Sequence, residues 1–482
     1  MENVKQKNMK YIVNSTVGIM IMFVFWIIPP IAPVTSYGMQ LLGVLAGCVY
    51  LWSTVGLIWP SALGVIAMAL SENGGVQIIT TAFSNSNVLL LLFIFPVFSV
   101  ITNTGVFNKL TIYILSSKLV SGKPYLFAFV MLALVALLSP FANGPVVILI
   151  FWSIITGMAK TLGVDAENKF VKCMIVGIPF ASMMGFVCVP FVGFGLILNG
   201  LFTSYTGIVF DPILYMGIMF SMTTVAILLY LAVMKFIIRV DVTAFKSVNA
   251  NALQKGTDEV AFTKDQKILL TYLIVFMVFL CMPNLLPATL GVTIILKKLD
   301  AVGICLIAFI ILCILRDAQG KPYLDMRTAS KDIGWDMVFL FACAIQLSGS
   351  LSGDGTGIAT LMSSSLGAVL GAHNEFVIIL VLAVVSLILT NFANNWVVLM
   401  LMISALALSA QSLTVNISLA FIMIVFCGNI GFVLPSASIY GAMLHGNESV
   451  SPKDIYQYTS ICIVITIITV CIFIPIGGMF IK

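Results

Sequence analysis

The sequence predicts an all-α polytopic membrane protein with about 11 transmembrane helices and two re-entrant hairpins, set in two inverted-topology repeats. Composition is the first reason. The chain is 61% hydrophobic and 9% charged, with a mean hydropathy of +1.15, where a soluble globular chain carries about 25% charged residues. The second reason is internal duplication. LSPFANGPVVIL (Leu138 to Leu149) returns as LTNFANNWVVLM (Leu389 to Met400) with six of twelve residues identical. GFVCVPFVGFGLILNG (Gly185 to Gly200) returns as GFVLPSASIYGAMLHG (Gly431 to Gly446) with six of sixteen. Membrane segments interrupted by Gly, Pro or Asn at corresponding points of two halves point to the binding site of a secondary transporter. The third reason is the placement of Lys and Arg, taken up below.

Residues 1–12 carry Lys5, Lys7 and Lys10 and read as a cytoplasmic tail. No small-residue cleavage site follows, so Val13 to Pro33 reads as a retained first helix. The charge-poor runs Gly38–Leu70, Val88–Thr102, Pro124–Met158, Cys173–Gly200 and Pro212–Met234 complete a first repeat over 13–238. Within it, 124–160 reads as a hairpin and 168–202 as a broken helix. Residues 239–267 are hydrophilic and read as a cytoplasmic linker. The runs Ile268–Pro283, Ala301–Leu315, Met337–Leu351, Phe376–Met402, Val415–Leu444 and Ile455–Ile481 make a second repeat over 268–482. Its hairpin is 374–410 and its broken helix 415–446.

Lys and Arg collect on the cytoplasmic side of membrane proteins. With the N-terminus inside and both hairpins returning to the side they entered from, all 23 basic residues except Lys297, Lys298 and Lys482 fall inside. The C-terminus is then outside and the halves are inverted. If either hairpin crossed fully, every later loop would change side and the asymmetry would be lost. The net charge of +5 is therefore a topological signal, with no nucleic acid as partner. The expected location is the cell inner (plasma) membrane.

The ten cysteines are scattered singly without a CxxC pair and read as packing residues. No Walker A, HExxH or GxSxG pattern occurs, no catalytic residue is assigned and the chain is not expected to be an enzyme. No Asp or Glu lies well inside a run, which disfavours a carboxylate proton relay; His445, beside Gly446, reads as a cap. No Arg lies inside to pair with a carboxylate, so an anion would be held by helix ends, amides and hydroxyls.

Inside lipid an unpaired backbone N–H or C=O costs several kcal/mol, so unwound chain persists only where protein, water or ligand satisfies it. Half-helix N-termini suit an anionic substrate, and freed carbonyls with amide oxygens suit Na⁺. The expected substrate contacts are Ser139, Asn143 and Gly144 at the first tip, Thr390, Asn394, Asn395 and Trp396 at the second, and Ser438. The expected Na⁺ contacts are Asn143, Gly144, Gly193, Gly195, Asn394, Asn395, Ser438 and Gly441. Trp396 either stacks on the substrate or fills the space a larger ligand would use. The plain alternative is that these residues only cap and turn buried hairpins. Two other functions fit the same pattern: a cation/proton or neutral-solute carrier, and a transport-incompetent membrane receptor. Beyond Na⁺ as coupling ion, no cofactor is expected.

The tips and the breaks that follow them resemble the divalent-anion/sodium symporters, which include the dicarboxylate, citrate and sulfate carriers of the ion-transporter superfamily. WSTVGLIWPSALGVIAMAL (Trp52 to Leu70) is similar to that family's third helix. NVLLLLFIFPVFSVITNTGVF (from Asn87) and WDMVFLFACAIQLSGSLSGDGTGI (from Trp335) resemble the segments before its hairpins. LPSASIYGAMLHG (from Leu434), then SPKDIYQY (from Ser451), resembles its second break and the element before its last helix. The family's Ser–Asn–Thr tips are here Asn143–Gly144–Pro145 and Asn394–Asn395–Trp396. Its Thr–Pro–Pro–Asn breaks are Val192–Gly193–Phe194–Gly195 and Ser438–Ile439–Tyr440–Gly441. The resemblance implies a homodimer moving a small organic anion, di- or tricarboxylate-like, by Na⁺ symport or anion exchange with elevator-type alternating access.

Overall fold

The computed structural model describes residues 2–107, 109, 111, 122–141, 144–165, 167–247, 262–286, 289–351, 353, 355–358, 360–361, 374–392, 394–408, 415–435 and 437–481. The structure is 78% helical, with no strand among the described residues. Helices α1 (Glu2–Val24), α2 (Ser36–Thr54), α3 (Ile58–Leu70), α4 (Val76–Ser84) and α5 (Ser86–Asn103) come first. Next are α6 (Pro124–Leu138) and α7 (Gly144–Thr161), which form a hairpin. One helix interrupted at 187–192 follows, as α8 (Lys169–Phe186) and α9 (Gly193–Thr206), then α10 (Pro212–Ala232). In the second half, α11 (Lys264–Leu285), α12 (Gly291–Ile314) and α13 (Trp335–Leu351) lead to another hairpin, α14 (Glu375–Phe392) with α15 (Asn395–Leu408). A second interrupted helix, α16 (Ile417–Gly428) with α17 (Ile439–His445), and a long last helix, α18 (Pro452–Phe480), complete the chain. Among the described residues, six helical stretches are long and apolar enough to cross a bilayer.

Local chemistry accounts for the boundaries. Asp211 caps α10, with Pro212 at its first position. Capping boxes start α11 (Thr263 with Gln266) and α18 (Ser451 with Asp454), each satisfying backbone N–H groups that the first turn leaves unpaired. Pro190 and Pro435 lie in the two interruptions, where a missing N–H and a fixed φ stop helix propagation. Helix α1 begins at Glu2, so residues 2–12, expected as a cytoplasmic tail, are continuous helix with the apolar run that follows. No Gly or Pro precedes Gly18 to stop it. Lys297 and Lys298, expected in a loop, lie on the first arm of α12. Asp300 separates that arm from the span Ala301–Ile314 with φ +52° and ψ −176°, a conformation that costs a non-glycine residue about 1–3 kcal/mol. Most of the linker, 248–261, lies outside the described residues.

Each interrupted helix is packed on the hairpin of its own half, α8 on α6 and α7, and α16 on α14 and α15. The approach is backbone to backbone at one pair of glycines. A Cβ at Gly185 would lie 2.0 Å from the Ala136 carbonyl oxygen, and one at Gly431 would lie 2.6 Å from that of Thr390. These glycines head the two copies of the second duplicated segment. Trp152 Nε1 donates to Ile175 O (2.8 Å) in the first half, and Ser386 Oγ donates to Ile424 O (3.1 Å) in the second. Lys172 joins the halves. Its ammonium, 7% exposed, lies 2.5 Å from Glu167 on the segment before α8 and 2.9 Å from Asp454 at the start of α18.

Alanine at either glycine forces the hairpin away from its helix, and overpacking of this kind costs about 1–3 kcal/mol. Gly185→Ala and Gly431→Ala are expected to lower the melting temperature of the purified protein by similar amounts. A thermal melt that leaves either variant at the wild-type temperature would show the approach to be looser than this.

Candidate functional site

The two interrupted helices meet where Met183 and Asn429 touch, close to the breaks. Setting Gly185 on Gly431 makes these two residues correspond in the duplicated halves, and the Asn429 amide donates to the Met183 carbonyl. Around this contact both hairpin tips are held by one turn of α8. Ser182 Oγ lies 2.9 Å from Ser139 Oγ at the first tip. One residue on, the Met183–Asn429 contact continues to the second tip, where Asn395 Nδ2 donates to Asn429 Oδ1 (3.4 Å). Ser139, Ser182, Asn395 and Asn429 are all buried.

At the first tip, Gly144 opens α7 against the second half. A Cβ there would lie 2.1 Å from the Tyr440 hydroxyl, which also neighbours Ser182. Asn143 lies outside the described residues. At the second tip, Asn394 Oδ1 accepts from Trp396 N (3.0 Å) and caps α15. Its amide Nδ2 and the Trp396 indole N–H have no partner among the described residues. The Trp396 ring packs on Phe194, with centroids 3.8 Å apart. Thr390, one residue before Asn391, is fully buried, and its Oγ1 has no hydrogen-bond partner among the described residues. A Cβ at Gly431 would lie 2.9 Å from that oxygen.

The interruptions hold the remaining expected residues. Ser438 caps α17, accepting from Gly441 N (3.2 Å) and donating to Gly431 O (2.5 Å). Thr390 and Ser438 are thus gathered at Gly431. Gly195 and Gly441 make corresponding close approaches, to Val189 O (2.1 Å from a Cβ) and Leu434 O (2.4 Å). Gly193 starts α9 and offers only backbone. Asn199, a turn further on, donates to Gly195 O (2.7 Å) while its own buried Oδ1 is unpartnered among the described residues.

Sequence reasoning missed Ser182, Asn429 and Tyr440 and undervalued Asn391. The Asn391 amide donates to Leu387 O and Ile430 O (both 2.8 Å) and accepts from Phe432 N (3.1 Å) and Val433 N (3.0 Å). All of its hydrogen-bonding capacity is therefore used to clamp the unwound chain after α16. Extending the second duplicated segment two residues upstream would have set Asn429, a polar residue in an apolar run, opposite Met183. Among the described residues Lys172 is the only buried charged side chain, and the residues at the tips and interruptions carry no formal charge. What gathers here is a set of hydroxyls, amides and freed carbonyls inside an apolar body. No group of three or more His, Cys, Asp or Glu gathers among the described residues.

Paired hairpins facing paired interrupted helices define the class, an α-helical membrane transporter. The model of the citrate transporter family matches residues 48–426, and the chain belongs to that family. No curated protein matches. Solved structures share the fold at low identity. The YdaH transporter of Alcanivorax borkumensis superposes with a TM-score of 0.50 at 14% identity, over 85% of this chain and 90% of its own. MtrF of Neisseria gonorrhoeae, from a class of antimetabolite efflux pumps, gives 0.57 at 12% identity over 95% and 94%. The resemblance to ion-transporter families read from the sequence is borne out at that level.

Removing the Asn391 side chain orphans several buried backbone groups at about 1–3 kcal/mol each. Asn391→Ala is expected to lower thermal stability or yield severely, and Asn394→Ala only slightly, since Asn394 caps one turn. Melting the two variants side by side checks the ranking.

Proposed function

We propose that this secondary transporter carries citrate or a related di- or tricarboxylate through the space between the two tips, by Na⁺ symport or anion exchange. One observation carries the reading: the neighbours Ser182 and Met183 tie both tips and both interruptions into one buried, uncharged polar cluster. Unpartnered N–H groups of Asn394 and Trp396 supply donors for carboxylate oxygens, and the start of α7 at Gly144 adds its backbone.

The absence of Lys, Arg or His from these residues bears on coupling. Moving an anion from water into a low-dielectric interior is strongly unfavourable unless it is paired. A tricarboxylate in this cluster therefore needs a cation beside it, which favours co-transport over exchange. The unpartnered Thr390 oxygen, with Ser438 Oγ gathered at Gly431 and carbonyls along the interruption, fits a hard monovalent cation. Asn143 and the glycines Gly193, Gly195 and Gly441 would contribute at most an amide and backbone.

The first arm of the first hairpin supports re-entry. With 15 residues in α6 and 1.5 Å per residue, it is about 22 Å long, short of the roughly 30 Å hydrocarbon core. Inverted repeats, an N-terminus inside and a C-terminus outside, a plasma-membrane location, a homodimer and elevator-type movement complete the reading.

Uptake of labelled citrate into proteoliposomes, with and without an inward Na⁺ gradient, tests it. Flux that follows the gradient is expected; flux of citrate indifferent to Na⁺ and to internal anion would overturn the coupling. Asn394→Asp keeps the oxygen that caps α15 but replaces the N–H donors with charge. It is expected to weaken citrate binding by roughly 5- to 150-fold with the melting temperature nearly unchanged.

A further inference from the structure

The helices that restart after the two interruptions carry an aromatic residue at corresponding positions, each the second residue of its helix. Phe194 falls opposite Tyr440 when Gly185 is set on Gly431. Each ring reaches across to the tip of the other half. Phe194, 0% exposed, lies against Trp396 of the second tip. Tyr440, 6% exposed, brings its hydroxyl against Gly144 of the first. The targets lie one position apart in the duplicated tips, since Gly144 aligns with Asn395 and Pro145 with Trp396. Two unlike side chains at corresponding positions thus make crossed contacts with adjacent positions of the opposite tips. Packing one hairpin on one helix would not require that crossed arrangement.

We propose that Phe194 and Tyr440 are paired latches, each holding the opposite half's tip closed over the space between the tips and parting from it when that tip opens. The proposal rests on the transport reading only in placing a substrate there. An aromatic contact biases a closed state by roughly 2- to 12-fold. That is enough to keep a tip shut and small enough for a bound ligand to offset.

The latches differ in chemistry, which makes them specificity-determining in different ways. The Phe194–Trp396 contact is ring on ring, so it responds to the width of what enters. The Tyr440 contact is a hydroxyl that neighbours Ser182 and needs a residue without a side chain at position 144. A ligand hydroxyl or carboxylate that takes over hydrogen bonding at Ser182 competes with it directly.

The test reads tip opening without a substrate. Pro145→Cys reports on the first tip and Asn394→Cys on the second, both at half-buried positions. Each is combined with Phe194→Ala or Tyr440→Ala in the full-length protein in lipid nanodiscs. Labelling by a charged aqueous maleimide is followed by mass spectrometry of the tip peptides. The expected pattern is crossed. Phe194→Ala speeds labelling at the second tip and Tyr440→Ala at the first, each by roughly 2- to 12-fold, with the other tip unchanged. The conservative variants Phe194→Leu and Tyr440→Phe keep the comparison open where alanine unfolds the protein. They are expected to show the same crossed pattern at smaller size. Acceleration at the tip of the same half, equal acceleration at both, or no change would overturn the latches. Citrate with Na⁺ is added as a second arm on Pro145→Cys alone, which leaves the Asn394 donors in place. Crossed labelling with no protection by citrate leaves the latches standing and removes the citrate reading. Protection without crossed labelling does the reverse.

Discussion

Everything at the centre of this protein follows from breaking helices in a place without water. A backbone N–H or C=O stranded in an apolar interior is costly, so each interruption must bring its own partners. After α16 one side chain does most of this, with Asn391 making four hydrogen bonds to the unwound chain and its own helix. Ser438 restarts the helix by capping Gly441. Glycines then let carbonyls and hairpins come close enough for these bonds to form. The polar atoms left over among the described residues, at Thr390, Asn199, Asn394 and Trp396, are the ones the proposed solute and ion would use. Structure and function are separated here by whether a polar group has already been satisfied.

The duplication shapes how that cluster is assembled. Corresponding residues Met183 and Asn429 touch each other, as expected of positions near an axis relating two similar halves. The halves have diverged around that contact. The first tip is lined by Ser139, Ser182 and the Tyr440 phenol, the second by amides and the Trp396–Phe194 ring pair. The first tip therefore presents hydroxyls, and the second presents amides and a flat apolar surface.

The sequence made the helical membrane architecture legible because its signals were of the strongest kinds: scarcity of charge and a duplicated polar knot in an apolar run. The duplicated segments led to Ser139, Gly144, Thr390, Asn395 and Ser438, which are buried or half-buried at the tips and interruptions. Period and composition could not show which polar atoms are already used. Asn391 and Asn394 look alike in sequence, yet one is saturated by backbone bonds while the other caps one turn with its amide left unpartnered. Ser182 and Tyr440 were missed because a serine in a helix and a tyrosine near a turn are ordinary features. Only the fold brings them together across more than half the chain. The helical arm bearing Lys297 and Lys298 was missed because a charged pair beside an aspartate reads as loop, and the strained Asp300 backbone leaves no mark in composition.

The contact between Lys172 and Asp454 has a consequence for how the protein is made. The two residues are 282 apart in the chain. At a synthesis rate of about 5–20 residues per second, the lysine waits on the order of 15 to 60 s for its carboxylate to leave the ribosome. Met183 waits nearly as long for Asn429, 246 residues later. Throughout that interval the first half is already in the membrane with its break unclamped and its ammonium paired only to Glu167. The last helix to be made is thus the one that completes the ion pairing begun by one of the middle helices.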